Sequence, residues 1–120
     1  MSPRIRSSDI DRLHRAKEIL LQDLENPPSL LELARLVGLN DYKLKSGFRQ
    51  LFGTTVFGYL YQQRMKQAHE LLQSSEANVT EIANQVGYTS LSAFSNAFKK
   101  FYGISPSQVR TVDLQRSDAE

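Results

Sequence analysis

Apolar positions recur every three and four residues along most of the chain. Ile10, Leu13, Ala16, Leu20 and Leu24 form one such stripe, which predicts an amphipathic helix over 9–25. Ser8 is placed as its N-cap, and Pro27-Pro28 forbid its continuation. A second helix opens at Ser29, where Ser-Leu-Leu-Glu sets a carboxylate three residues after the cap. It runs to Val37, and Gly38 suits a left-handed exit. A third helix covers 41–52 and stops at Gly53. A fourth covers about 55–74, with Val56, Leu60, Met65, Ala68, Leu71 and Leu72 as its apolar stripe. The polar run SSEAN then breaks the pattern.

The segment after the break repeats an earlier one. LLELARLVGLNDYKLKSGFRQLFGTT aligns with VTEIANQVGYTSLSAFSNAFKKFYGIS. Glu32, Ala34, Val37 and Gly38 match Glu81, Ala83, Val86 and Gly87 at an offset of 49. Phe48, Phe52 and Gly53 match Phe98, Tyr102 and Gly103 at an offset of 50, so the second copy has one extra residue in its turn. The capping box recurs as Asn-Val-Thr-Glu. A last short helix starts at Ser105, with Pro106 at its first position and Gln108 completing Ser-x-x-Gln. No alternation of strand type competes. The expected fold is all-α: about seven helices, with two helix-turn-helix units at about 29–53 and 78–103 and a linker helix over about 55–74. Ala34 and Ala83 are small enough to let the second helix of each unit cross close by. Phe48 and Phe98 are expected to close the two small cores.

Composition narrows the function classes. At 120 residues the chain is one domain in size and can bury a modest core. It has no cysteine, which excludes a disulfide framework and thiolate metal sites and fits a reducing cytoplasm. No apolar run spans a membrane, and the N-terminus lacks the apolar block of a signal peptide. Net charge is +2, but the distribution is uneven. Residues 42–66 hold five bases and no acid, and residues 82–112 hold three bases and no acid. Two purely basic zones fit either a surface facing an anion or solvated helix faces.

The runs ELARLVGLNDYKLKSGFRQLFG and VTEIANQVGYTSLSAFSNAFKKFYGISPSQVR resemble the DNA-binding domain of the AraC/XylS family of bacterial transcription regulators. The likeness covers about 9–112, leaving an N-terminal arm at 1–8 and a tail at 113–120. The phrase LNDYKLKSGFRQLFGTTVFGYL is similar to the siderophore-responsive, PchR-like branch of that family. The resemblance implies two helix-turn-helix units on a rigid linker, each placing a recognition helix (about 41–52 and 91–102) in a major groove of double-stranded DNA. Successive grooves lie about 34 Å apart, and a linker of this length spans about 30 Å. It further implies a separate sensing or dimerisation domain for which this chain has no room; RNA polymerase is a candidate partner. No cofactor is implied.

Base readers should be polar, exposed and near the start of a recognition helix. Asn40, Tyr42, Lys43, Lys45 and Ser46 meet this in the first unit, and the resemblance selects Tyr42, Lys45 and Ser46 for base contact. The alternative for Tyr42 is a ring packed on the helix end. Ser92, Ser95 and Asn96 are the base-contact positions in the second unit. Asparagine can pair with adenine N6 and N7, where family members often carry arginine; its alternative is an exposed or capping side chain. Lys43, Arg49, Arg64, Thr89, Ser90, Lys99, Lys100 and Arg110 are expected on phosphates, with Thr89 and Ser90 also read as N-caps. The alternative for Arg64 or Lys66 is a surface pair with Glu70, worth about 0.3 kcal/mol.

Phe94, Phe98 and Phe101 share one helix face and are expected in the core rather than as a base-stacking platform. Gly47 lies mid-helix, which close approach of another backbone or simple drift would explain. His14 and His69 have no metal-spaced partner, and no acid–base or nucleophile constellation is visible, so an enzyme is not expected. A helical module binding an acidic protein partner stands as the alternative to DNA.

Overall fold

The computed structural model describes residues 5–111. The tail at 113–120 lies outside them, as do residues 1–4 of the expected arm. Six helices run in the order α1 (Ser7–Gln22), α2 (Leu30–Val37), α3 (Asp41–Phe52), α4 (Val56–Ser74), α5 (Val79–Gln85) and α6 (Leu91–Tyr102). A seventh helical segment occupies 106–111, and no strand occurs among the described residues. The chain divides into two compact units, with the boundary inside α4 between Gln62 and Gln63.

In the first unit α1 packs on α2 and α3, and α2 packs on α3. Leu13, Leu33, Leu44 and Phe48 are essentially sealed from solvent at its centre. Phe48 sits edge-on to Phe52 at 4.7 Å and to Tyr59 at 5.8 Å. Lys17 Nζ lies 4.7 Å over the Phe52 ring and 5.3 Å over Tyr59, capping the aromatic group with a cation. The turn between α2 and α3 forms as its sequence predicts. The Glu32 N–H donates to Ser29 Oγ, and Gly38 takes φ 77°, a conformation an L side chain resists. The Gly38 and Leu39 amides then donate to Arg35 and Ala34 carbonyls.

In the second unit α5 packs on α6, and Ile82, Val86, Phe94 and Phe98 are fully buried. The repeat reappears in the caps. Asn78 Oδ1 accepts from Glu81 N–H as Ser29 does from Glu32. Gly103 ends α6 at φ 82° as Gly53 ends α3 at φ 76°. Ser105 and Gln108 make both bonds of a capping box: Ser105 N–H to Gln108 Oε1 at 2.8 Å, and Gln108 N–H to Ser105 Oγ at 3.2 Å.

Three expectations change. Ser8 is not an N-cap. The Arg6 carbonyl already accepts from Asp9 and Ile10 amides, so α1 starts at Ser7, and Arg6 caps it without a side-chain bond. Nor do the prolines end α1. It stops at Gln22 because Asp23 Oδ1 accepts the Asn26 amide, a local turn that competes with the helix. Leu24 is buried nonetheless, delivered from beyond the helix end. Phe101 is only half-buried, since the last turn of α6 carries it past the sealed pair Phe94 and Phe98.

Gly47 has a partner, and it is a side chain rather than a backbone. A Cβ built there would stand 2.8 Å from Leu13 Cδ1, and Leu13 is 1% exposed with nowhere to swing. Alanine would gain about 1 kcal/mol in helix propensity, but overpacking costs about 1–3 kcal/mol. Gly47→Ala is therefore expected to lower unfolding free energy in urea by about 1 kcal/mol net. In a Leu13→Ala background the same change should become stabilising. A Gly47→Ala single variant more stable than the parent would refute the close packing.

Candidate nucleic-acid interface

In the first unit the exposed face of α3 is set by helix geometry. Leu44, Gly47 and Phe48 turn inward, which leaves 42, 45, 46 and 49 as neighbours on the outer face. Tyr42 is 67% exposed, so its ring is not packed on the helix end. Lys45 and Arg49 are exposed and Ser46 is half-buried. These four line one concavity of about 670 Å³, closed by Leu30, Asp41, Thr55, Val56 and Phe57. Lys45 Nζ pairs with Asp41 Oδ2 at 3.4 Å along the helix surface, an exposed pair worth only about 0.5 kcal/mol and easily exchanged. Asn40 is engaged as the cap of α3, its Oδ1 accepting the Lys43 amide at 2.7 Å.

Lys43 is placed apart from that group. Its Nζ lies 3.6 Å from Asp9 Oδ2, and Arg12 Nη1 lies 3.4 Å from Asp9 Oδ1. Asp9 is the buried acid of the described residues, at 8% exposure. Lys43 thus neutralises a carboxylate between α1 and α3, and a phosphate would have to share it.

In the second unit α6 has the same construction. Phe94 and Phe98 turn inward; Ser92, Asn96, Lys99 and Lys100 are exposed and Ser95 is half-buried. The Asn96 side chain makes no hydrogen bond among the described residues, and the caps of α6 are Ser90 and Gly103, which leaves Asn96 as an exposed mid-helix side chain. Ser90 is the N-cap, its Oγ accepting the Ala93 amide at 3.2 Å; Thr89 is exposed and caps nothing. Lys99 and Lys100 occupy the last turn, where they also complement the helix dipole. Arg64 stacks its guanidinium 5.7 Å over the Tyr88 ring. Burial pulls its pKa below the ordinary arginine value, opposed by Tyr88.

Arg110 is engaged within the fold. Its Nε donates to the Leu72 carbonyl at 3.2 Å, Nη1 to Ala77 at 2.6 Å and Nη2 to Ser75 at 3.1 Å. The guanidinium gives three of its five N–H donors to carbonyls at and just past the C-terminal end of α4, where carbonyls lack partners within the helix. It latches the end of α4, and a phosphate would have to share it.

Sequence reading passed over two exposed apolar side chains at these faces, Phe57 at 64% and Leu91 at 45% exposure. The search for base readers admitted only polar residues, and helical spacing alone does not tell an exposed apolar side chain from a core one.

A family model described as a helix-turn-helix domain matches residues 33–111. The regulatory protein PchR of Pseudomonas aeruginosa is 51% identical over 77 residues, covering 64% of this chain and 26% of that protein. The HTH-type transcriptional regulator AlkR of Acinetobacter baylyi is 37% identical over 86 residues, covering 72% and 28%. The chain thus spans about a quarter of the length of these curated relatives. Among solved structures, a transcriptional regulator with an AraC-type DNA-binding domain from Chromobacterium violaceum superposes with TM-score 0.82 at 25% identity, covering 92% of this chain and 98% of the other. The DNA-binding domain of AdpA, solved in complex with a target DNA, gives TM-score 0.81 at 28% identity, covering 88% and 95%. With two capped helix-turn-helix units and these relatives, the chain belongs to the AraC/XylS family of transcription regulators and carries its DNA-binding domain.

Proposed function

We propose that the domain regulates transcription by reading double-stranded DNA with α3 and α6, each laid in a major groove. The observation that carries this is the repeated face. In both units the aromatic side of the second helix is buried, while hydroxyls, an amide and cations stand together on its outer side. Tyr42, Lys45 and Ser46 read bases in the first unit, and Ser92, Ser95 and Asn96 do so in the second. Lysine donates to guanine O6 and N7, asparagine pairs with adenine N6 and N7, and serine serves several edges. Arg49, Lys99 and Lys100 hold phosphates, with Lys43, Arg64, Thr89 and Ser90 beside them. Phosphate contacts fix register and carry no sequence information themselves. On this reading the domain works in the cytoplasm, at operators shared with RNA polymerase.

Selection from a random duplex pool gives the cognate sequence, and titration against salt tests the mode. Affinity should fall steeply with salt, and a scrambled duplex should bind about a thousandfold more weakly. Equal affinity for both duplexes would sink the specific-reader proposal and favour an acidic protein partner. Asn96→Ala is expected to cost about 1–3 kcal/mol and to relax preference at one base position. Lys99→Ala should weaken all sequences alike and lower the salt slope by about one. Identical behaviour of the two variants would erase the division between reader and positioner.

A further inference from the structure

The first two turns of α6 offer solvent a distinct set of side chains. Leu91, Ser92, Ala93 and Asn96 are exposed and Ser95 is half-buried. No lysine or arginine appears on α6 before Lys99. Guanine is characteristically read by a cation donating to O6 and N7, and these two turns hold none. They hold one amide, two hydroxyls and two apolar side chains. In the major groove the partner of an amide is adenine, and only thymine presents a methyl group.

Leu91 is not sealed in the core. It keeps 45% of its surface, and α6 already buries its aromatic stripe through Phe94 and Phe98. It stands one turn from Ser95, and Ser92 stands one turn from Asn96. The leucine row and the asparagine row therefore run side by side at the helix end that meets base edges. The first unit has Lys45 among its readers, so the two units do not offer the same chemistry.

We infer that the second unit reads an A·T-containing segment, in which Leu91 packs on a thymine C5 methyl while Asn96 pairs with adenine. The inference rests on the DNA-reading function proposed above and assigns Leu91 as a specificity-determining residue within it.

The test uses the duplex recovered from the random pool. Each thymine is replaced singly by deoxyuridine, which removes the C5 methyl and leaves pairing intact. At one thymine the parent protein should bind about fourfold more weakly, the value of one methyl group leaving an apolar contact. Leu91→Ala should bind the thymine duplex more weakly and be indifferent to uracil at that position. Circular dichroism should show the variant folded, since Leu91 is exposed. Uracil tolerated at every position by the parent, or a Leu91→Ala variant as uracil-sensitive as the parent, would overturn the assignment while specific binding persists. Loss of sequence-specific duplex binding altogether would overturn the DNA-reading function and this inference with it.

Discussion

Phe98→Ala should destabilise the second unit by about 3–5 kcal/mol. Phe98 is completely buried, with Tyr102 at 4.8 Å and Phe94 at 5.8 Å between ring centroids. His69 packs 4.8 Å from Tyr102 and stacks 6.4 Å from Phe98 itself. Removing the ring leaves a cavity that these neighbours cannot all move to fill, because Tyr102 is also held by its hydroxyl on the Met65 carbonyl. Denaturation followed by circular dichroism measures the loss, and Phe98→Leu separates core from contact. Leucine keeps an apolar side chain in place, so it should cost under half as much and leave duplex affinity near that of the parent. If Phe98→Leu stayed folded yet lost about 1–3 kcal/mol of binding, as for a base stacked on a ring, the ring would belong to the interface.

Arg110→Ala should cost about 2–4 kcal/mol of stability, since hydrogen bonds from a charged donor are among the stronger ones and three carbonyls lose theirs. Arg110→Lys should recover little. A lysine has no planar fork with which to span Leu72, Ser75 and Ala77 at once. Neither substitution should alter the salt slope of duplex binding at temperatures where the variant is folded. A slope lower by about one in Arg110→Lys would return the residue to the phosphates.

Much of the fold is legible because its signals are local. Ser29, Asn78 and the Ser105–Gln108 box announce helix starts within four residues, and Gly38, Gly53 and Gly103 announce ends. The failures follow the same logic. Nothing near Arg6 marks it as a cap, because the cap there is a backbone carbonyl alone. Arg110 looks like any basic residue near the end of a basic zone, and its carbonyls lie 33–38 residues away. Gly47 reads as an unexplained glycine until α1 is packed against it and Leu13 fills the missing volume.

The outward faces of α3 and α6 were legible by the same rule. Once α3 and α6 are fixed, helical spacing decides which side chains face out, and Lys45, Ser92 and Asn96 follow. Lys43 and Asn40 did not, since a cap bond and an ion pair to α1 engage them. The exposure of Leu91 was not legible, because how far an apolar side chain stays exposed is a property of packing.

The latch at Arg110 also sets an order of events during synthesis. The carbonyls of Leu72, Ser75 and Ala77 leave the ribosome more than thirty residues before the guanidinium that closes them. The first unit has all of its own residues once Gln62 has emerged, and domains generally fold as units from the N-terminal side. The second stays open at the end of α4 until residue 110 arrives. A chain halted or clipped short of that point keeps every proposed base reader and lacks the group that seals the unit carrying half of them.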